Sequence, residues 1–162
     1  MKTRDILREQ LYGVHSHVHV VHALEGLDPA MAGARVPGSP HTIFQVLNHM
    51  VYWQDISLGR MREEQPPEPP TAAEGWEYPA APEDESDWEA LVACFVEGLR
   101  AVEERVANPE VDLDRVVDPR HDRTTFEQVM MVMSHNSYHL GQIVQLRQQL
   151  ACWPPPKGGQ TW

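Results

Sequence analysis

Two histidines four residues apart interrupt an apolar helical stripe in the last third of the chain, and they constrain the fold more than any other feature. His135 and His139 lie one turn apart on one helix face, so both imidazoles can reach a single cation. The same stripe contains Val132, Ile143 and Leu146, which predicts that this face points into a core. Burying two imidazoles there is costly unless a partner satisfies them. A bound metal ion is the simplest partner.

His49 is the best candidate for a third ligand. It lies within another helical pattern, on a face shared with Val46, Trp53 and Ile56, so it also points inward. Three neutral imidazoles from two helices would leave coordination positions open for water or substrate, which is typical of catalytic sites. The alternative is that these histidines are ordinary helix residues with local hydrogen bonds, and spacing alone leaves both interpretations open.

The last helical pattern contains no acidic residue after Glu127. It therefore lacks the HExxH motif of zinc proteases and the ExxH motif of di-iron bundles. Both classes of metal site become improbable for this chain.

Four helical segments are predicted, with no convincing strand pattern. The last three each begin with a capping box, in which a Ser or Thr precedes a Glu or Gln by three positions. The predicted segments run from about Thr3 to Leu27, from Thr42 to about Arg62, from Ser86 onward, and from Thr124 to about Leu150.

Residues 63–85 are rich in proline and acid, which favours a crossover loop over a helix. Trp76 and Tyr78 are expected to pin part of this loop to the helices. The pattern as a whole predicts one all-α domain over residues 1–162, a four-helix bundle with a long Pro-rich crossover between its second and third helices.

Composition excludes several classes of partner. The formal net charge of −11 argues against binding to nucleic acid or to an anionic membrane surface, because phosphates would be repelled. No apolar run is long enough to cross a bilayer, and no secretory signal is visible. The two cysteines, Cys94 and Cys152, are far apart, which favours a reducing, cytoplasmic location. Cys94 lies in an apolar helical run and is expected to be an inert core residue.

A second group of histidines lies in the first predicted helix. His15, His19 and His22 follow the i, i+4, i+7 spacing of one helix face, whereas His17 lies off that face and is expected to be solvated. Three interpretations remain open for the group. It could form a polar flank of the core seam, line a pocket above the first site, or bind a second metal ion.

Several other polar residues have two possible roles. His41 and His121 lie next to helix starts, where a local capping role is expected. Asn136 and Tyr138 flank the histidine pair and could orient its ligands, or pack against neighbouring helices. Arg147 could attract an anionic substrate or form a surface salt bridge.

Three stretches make the chain similar to the DinB-like superfamily, the DinB/YfiT type of metal-binding four-helix bundle. The stretch with the histidine pair, residues 135–143, is the most specific of the three. The resemblance places the family's metal triad on His49, His135 and His139. The stretches are residues 37–53 with the motif around His49, residues 135–143 with the histidine pair, and residues 153–162 with the Trp-Pro-Pro and Gly-Gly-Gln-Thr-Trp sequences.

The resemblance implies a divalent metal, often zinc or nickel, with water completing the coordination shell. Three imidazoles would also suit iron, manganese or copper, so the donor set does not select the ion. Relatives of this kind include thiol-dependent transferases and isomerases that use low-molecular-weight thiols such as bacillithiol, mycothiol or glutathione. Many form homodimers, and the family name implies no DNA binding. The histidines of the first helix are outside the family's general pattern.

These features support a metalloprotein, and more specifically an enzyme that activates a low-molecular-weight thiol or water for attack on a small electrophilic substrate. No general base can be identified, although His15 or His19 would reach the pocket if the first and last helices pack together. Two other functions stay open, a non-enzymatic metal-binding or stress-response module and a purely structural bundle.

Overall fold

The computed structural model describes residues 2–159, apart from the side chain of Ala72. The chain is predominantly helical, in agreement with the predicted all-α class. Its helices are α1 (Lys2–Leu11), α2 (Pro29–Ala32), α3 (Ile43–Met61), α4 (Glu85–Ala107) and α5 (Thr125–Gln149). Two short 3-10 turns (His22–Leu24 and Ala72–Trp76) and two antiparallel strands, β1 (Val116–Asp118) and β2 (Arg123–Thr124), complete the described elements.

Helix α3 is central, because it packs against both α4 and α5, while α1 also contacts those two helices. Apolar side chains at three- and four-residue spacing fill the space between the helices. The fully buried members of this core include Leu47 and Met50 of α3, Phe95 and Leu99 of α4, and Ile143 of α5. The packing of α3 on α5 brings the two helices that carry the predicted ligands together.

Capping boxes begin two of the long helices where the sequence predicts them. The Thr42 hydroxyl accepts a hydrogen bond from the backbone N–H of Gln45, and the Gln45 side chain accepts from the Thr42 N–H. Thr124 and Glu127 make the same reciprocal pair at the start of α5. These bonds satisfy backbone donors that have no partner within the helix.

The predicted start of α4 is wrong by two residues. Its N-cap is Asp84, whose side chain accepts from the backbone N–H of Asp87, 3.0 Å away. Ser86 is instead inside the helix, and its hydroxyl donates to the Asp84 carboxylate. An ionised aspartate is the stronger acceptor at a positively polarised helix N-terminus, so it takes the capping position.

The first predicted helix ends much earlier than expected, at Leu11 instead of Leu27. Gly13 and His15 both have positive φ, at 80° and 65°, which is incompatible with continuing a right-handed helix. The following segment is rich in valine, which is a poor helix former. It folds back so that the Val20 N–H donates to Tyr12 O, and Val18 and Val20 are buried.

The two short strands contradict the expectation of a strand-free chain. They have only three and two residues, too few for an alternating pattern to be visible in the sequence. Asp118, the last residue of β1, lies in the interior, where its carboxylate is 3.3 Å from the guanidinium Nε of Arg60 on α3.

Arg147 and Cys94 are also placed differently from the sequence predictions. Arg147 is 2% exposed, and its guanidinium donates to the backbone oxygens of Ala23, Glu25 and Cys152. It therefore forms no surface salt bridge and cannot attract a substrate, because its donors are used to tie the end of α5 to the chain around it. Cys94 is exposed instead of buried, because it lies just outside the apolar face of α4.

The segment between α3 and α4 is held against the start of α3. Gln45 Nε2 donates to Tyr78 O at 2.9 Å, and the Thr42 hydroxyl donates to Ala80 O. Trp76 packs against the core, as expected for a residue that pins this segment. None of the helices within residues 2–159 combines the length and apolar character that a membrane crossing requires.

Candidate metal centre

The three predicted ligands come together in the interior, between α3 and α5. His49 lies midway along α3, while His135 and His139 lie on successive turns of α5. One donor nitrogen from each residue lies within 4.8 Å of the others. His49 and His139 are each 5% exposed and His135 is half-buried. We call these residues the three-histidine cluster.

The spacing of the ring nitrogens fits a shared ion. His49 Nε2 and His135 Nε2 are 3.2 Å apart. Two nitrogens bound to one tetrahedral zinc ion, each about 2.05 Å from the metal, are about 3.3 Å apart. The observed separation therefore matches one edge of such a coordination shell.

Hydrogen bonds at the opposite ring nitrogens orient two of the three imidazoles. His49 Nδ1 donates to the backbone oxygen of Gly75 at 3.0 Å, and His139 Nδ1 donates to Gln142 Oε1 at 2.7 Å. A proton held on Nδ1 leaves the lone pair of Nε2 free for a metal. Both rings are therefore in the tautomer that ligates through Nε2.

The 3-10 turn Ala72–Trp76 closes over His49. The indole ring of Trp76 stacks between two imidazoles, with its centroid 3.7 Å from His49 and 3.8 Å from His41. Gly75 lies so close that a Cβ there would be 2.9 Å from His49 Nδ1. The absence of a side chain at Gly75 is what lets its carbonyl oxygen reach the ring.

Burial keeps the cluster uncharged. Loss of hydration lowers the pKa of His49 to about 4, against the opposing effect of its hydrogen bond to Gly75. Burial and the neighbouring imidazoles lower the pKa of His135 to about 4 as well. Burial is also the main reason why the pKa of His139 lies below its ordinary value. Neutral imidazole is the form that binds metals, so the cluster is ready to bind at neutral pH.

The donor set fits a borderline transition-metal ion. Three imidazole nitrogens suit zinc, nickel or iron far better than magnesium or calcium, which prefer oxygen. Three protein ligands also leave at least one coordination position open, unlike a closed structural site. Within residues 2–159, no other group of three or more His, Cys, Asp or Glu side chains is close enough to share an ion.

The histidines of the first segment do not share a face, because that segment is not helical. His19 stacks between Tyr12 and His22, with ring centroids 5.1 and 4.2 Å away. His15 is exposed. His17 is half-buried instead of solvated, and its Nε2 lies 2.9 Å from Ser137 Oγ on α5. This group forms no second metal site of three or more such ligands among the described residues.

The remaining polar candidates have structural roles or lie at the edge of the cluster. Asn136 is buried and donates to Gln54 Oε1 on α3, so it joins two helices. Tyr138 is 68% exposed, with its ring edge-on to His139. Neither remaining histidine caps a helix, since His41 stacks on Trp76 and His121 pairs with Asp118.

Sequence reasoning missed two residues that orient the cluster. Gln142 follows His139 by three positions, a spacing that places the two side chains side by side on a helix, so this contact had a visible signal. No sequence signal pointed to Gly75, because the contact of its carbonyl oxygen with His49 depends on how the segment between α3 and α4 folds.

The comparisons with known proteins agree with this geometry. The model of the DinB superfamily matches residues 12–143, which include all three cluster histidines. No curated protein and no solved structure matches the chain significantly. Of the three stretches that carry the resemblance, the match covers those around His49 and around the histidine pair. The third extends into residues 160–162, outside the described residues. The protein therefore belongs to the DinB superfamily.

Proposed function

We propose that this protein is a metal-dependent enzyme whose three-histidine cluster binds one divalent ion. Zinc and nickel are the favoured ions. The ion would serve to activate a low-molecular-weight thiol or a water molecule for attack on a small electrophilic substrate. The observation that carries the proposal is the convergence of three neutral imidazoles, two buried and one half-buried, of which His49 and His139 keep Nε2 free through hydrogen bonds at Nδ1. Family membership supports the same site.

The residues around the cluster would hold the ligands in position. When bound, a divalent ion there lowers the pKa of a coordinated thiol or water, which supplies the deprotonated nucleophile near neutral pH. Gly75 and Gln142 hold the rings of His49 and His139 in place, and Trp76 covers one side of His49. His135 is the most exposed of the three.

A conjugation assay tests the proposal. Metal-free protein is reloaded with one equivalent of zinc or nickel and mixed with glutathione and 1-chloro-2,4-dinitrobenzene. A sulfur–carbon bond forms, chloride leaves and the thiol proton passes to the buffer. Hydrolysis of 4-nitrophenyl acetate tests the use of water in parallel. We expect a metal-dependent rate in at least one assay.

Two variants complete this test. His139→Ala should reduce the rate to the background without enzyme, whereas His15→Ala, which changes an exposed histidine outside the cluster, should keep the full rate. A rate that is independent of metal, or equal in wild type and His139→Ala, would overturn the proposed chemistry.

Further proposals concern the bundle, the location and the oligomeric state. We propose that α1, α3, α4 and α5 form its four-helix bundle, with the Pro-rich segment as the crossover, and that the protein is a cytoplasmic homodimer without nucleic-acid partners. Exposed apolar side chains on α5, among them Met130, Met131 and Tyr138, support an interface between copies. Light scattering after size-exclusion chromatography measures the oligomeric state directly.

A further inference from the structure

A half-enclosed cavity of about 280 Å³ lies between residues 37–41 and α5. Its volume is near the lower end of the range for small-molecule pockets. The side chains that matter for its chemistry are those of Ser39, His41, Val46, Gln142, Gln145 and Gln149.

Two of these residues connect the cavity to the three-histidine cluster. Gln142 is a wall of the cavity and also accepts the hydrogen bond from His139 Nδ1. His41 is a wall on the other side and stacks on Trp76, which in turn stacks on His49. A molecule in the cavity would therefore lie directly beside Gln142, which orients His139, and beside His41, which is separated from His49 by Trp76.

Among the described residues, the lining of the cavity is partly polar and partly apolar, and it carries no acidic side chain, lysine or arginine. Three primary amides, those of Gln142, Gln145 and Gln149, follow one face of α5 at i, i+3 and i+7. Each can donate and accept at the same time, as can an amide group in a ligand. A carboxylate or phosphate is bound more strongly by a charged partner such as arginine or lysine, and the described part of the lining offers neither.

The wall formed by residues 37–41 is preorganised. Ser39 N donates to Val36 O at 3.0 Å, and Gly38 has a φ of 84°, so Pro37 and Gly38 occupy the central positions of a type II turn. The Ser39 hydroxyl also donates to His41 O at 2.7 Å. A wall that is already ordered costs little conformational entropy when a ligand binds.

We propose that this cavity binds an uncharged, amide-bearing small molecule. We assign it as the part of the substrate that does not react, while the reacting group reaches the three-histidine cluster past Gln142. The assignment as a substrate site rests on the proposed function, whereas amide binding by the cavity does not.

A pair of matched probes tests the selectivity. N-acetylglycinamide is neutral and carries two amides, and N-acetylglycine differs only in replacing the terminal amide with a carboxylate. Each probe is titrated into protein labelled with 15N-glutamine, and the side-chain NH2 signals are followed by NMR. We expect saturable shifts of Gln145 and Gln149 with the neutral probe and about tenfold weaker binding of the charged one, as one lost hydrogen bond would give. Gln10, whose side chain donates to Val14 O and does not line the cavity, serves as the unshifted reference.

Two glutamines in the same turn of α5 provide matched variants. Gln145→Met removes one amide from the cavity and should weaken binding of the neutral probe about tenfold. Gln148→Met makes the same change at an exposed position that does not line the cavity, and should leave binding unchanged. Equal affinity for the two probes, equal loss in both variants, or no saturable shift would each overturn the proposal.

The titrations are made on both metal-free and zinc-loaded protein. If the protein binds neither zinc nor nickel but shifts Gln145 and Gln149 as expected, the proposed function fails while amide binding by the cavity stands. If zinc binds but neither signal shifts, the cavity assignment fails alone.

Discussion

At the scale of single residues, Gly75 has the clearest effect on the candidate metal centre. Its carbonyl oxygen accepts the hydrogen bond that orients His49, and a Cβ at this position would also lie 2.9 Å from Trp53 Nε1. Any side chain must therefore push the turn away from His49. Loss of such an outer hydrogen bond typically weakens metal binding by roughly 10- to 100-fold.

We expect Gly75→Ala to weaken zinc binding by about tenfold or more. Gly141→Ala is the matched control, because a Cβ at this exposed helical position meets nothing within 4 Å. Competition titration with a chromophoric chelator measures both affinities. Equal affinities in the two variants would contradict the role given to Gly75.

Asp118 links the stability of the fold to pH. Burial alone would raise the pKa of Asp118, but the hydrogen bond from His121 and the positive charge of Arg60 outweigh it and lower this pKa. A carboxyl whose pKa is lower in the folded state stabilises the fold above its unfolded pKa, near 3.9. This contribution is lost as the pH falls through the lower folded value.

We expect Asp118→Asn to reduce the free energy of unfolding at pH 7 by about 3 kcal/mol, because it leaves the buried Arg60 without this partner. The difference from wild type should shrink below about pH 4. Urea denaturation at a series of pH values measures it, with the exposed Asp114→Asn as control. A difference that is constant with pH would show that the charge of Asp118 is not responsible.

The residues that could be predicted from the sequence are those whose neighbours lie on their own helix. His135 and His139 follow from their spacing, and His49 follows from its place on an apolar face. Residues that act across a loop gave no such signal. The contact of Gly75 with His49 and the stacking of His41 on Trp76 both depend on the path of residues 62–84.

At the scale of elements, helix starts were more predictable than helix ends. The boxes at Thr42 and Thr124 were correct because their hydrogen bonds are local. Near α4 two residues competed for the same role, and the ionised side chain of Asp84 prevailed over Ser86. The early end of α1 depends on the backbone at Gly13 and on core packing of the valines that follow, which helical periodicity does not reveal.

A pair of variants tests the start of α4. Asp84→Ala removes the side chain that accepts from Asp87 N, so it should lower the midpoint of urea unfolding. Ser86→Ala removes only the hydroxyl that donates to Asp84, so its midpoint should stay close to that of wild type. A larger effect of Ser86→Ala would restore Ser86 as the cap.

At the scale of the whole molecule, the packing of α3 on α5 unites a buried nitrogen-donor cluster with a neutral cavity beside it. The chain has a net charge of −11, yet within residues 2–159 neither the cluster nor the cavity lining contains a carboxylate. These two places therefore present neutral donors and amides, whereas the buried charges of Asp118, Arg60 and Arg147 belong to neither of them. The central claim of this account is that the cluster binds one ion per chain.

Elemental analysis of untagged protein after exhaustive dialysis tests that claim most directly. We expect about one equivalent of zinc or nickel per chain in wild type and in the control His15→Ala, and little metal in His139→Ala. Equal metal content in wild type and His139→Ala, or none in either, would contradict the account, and circular dichroism of the variant would confirm that it is folded.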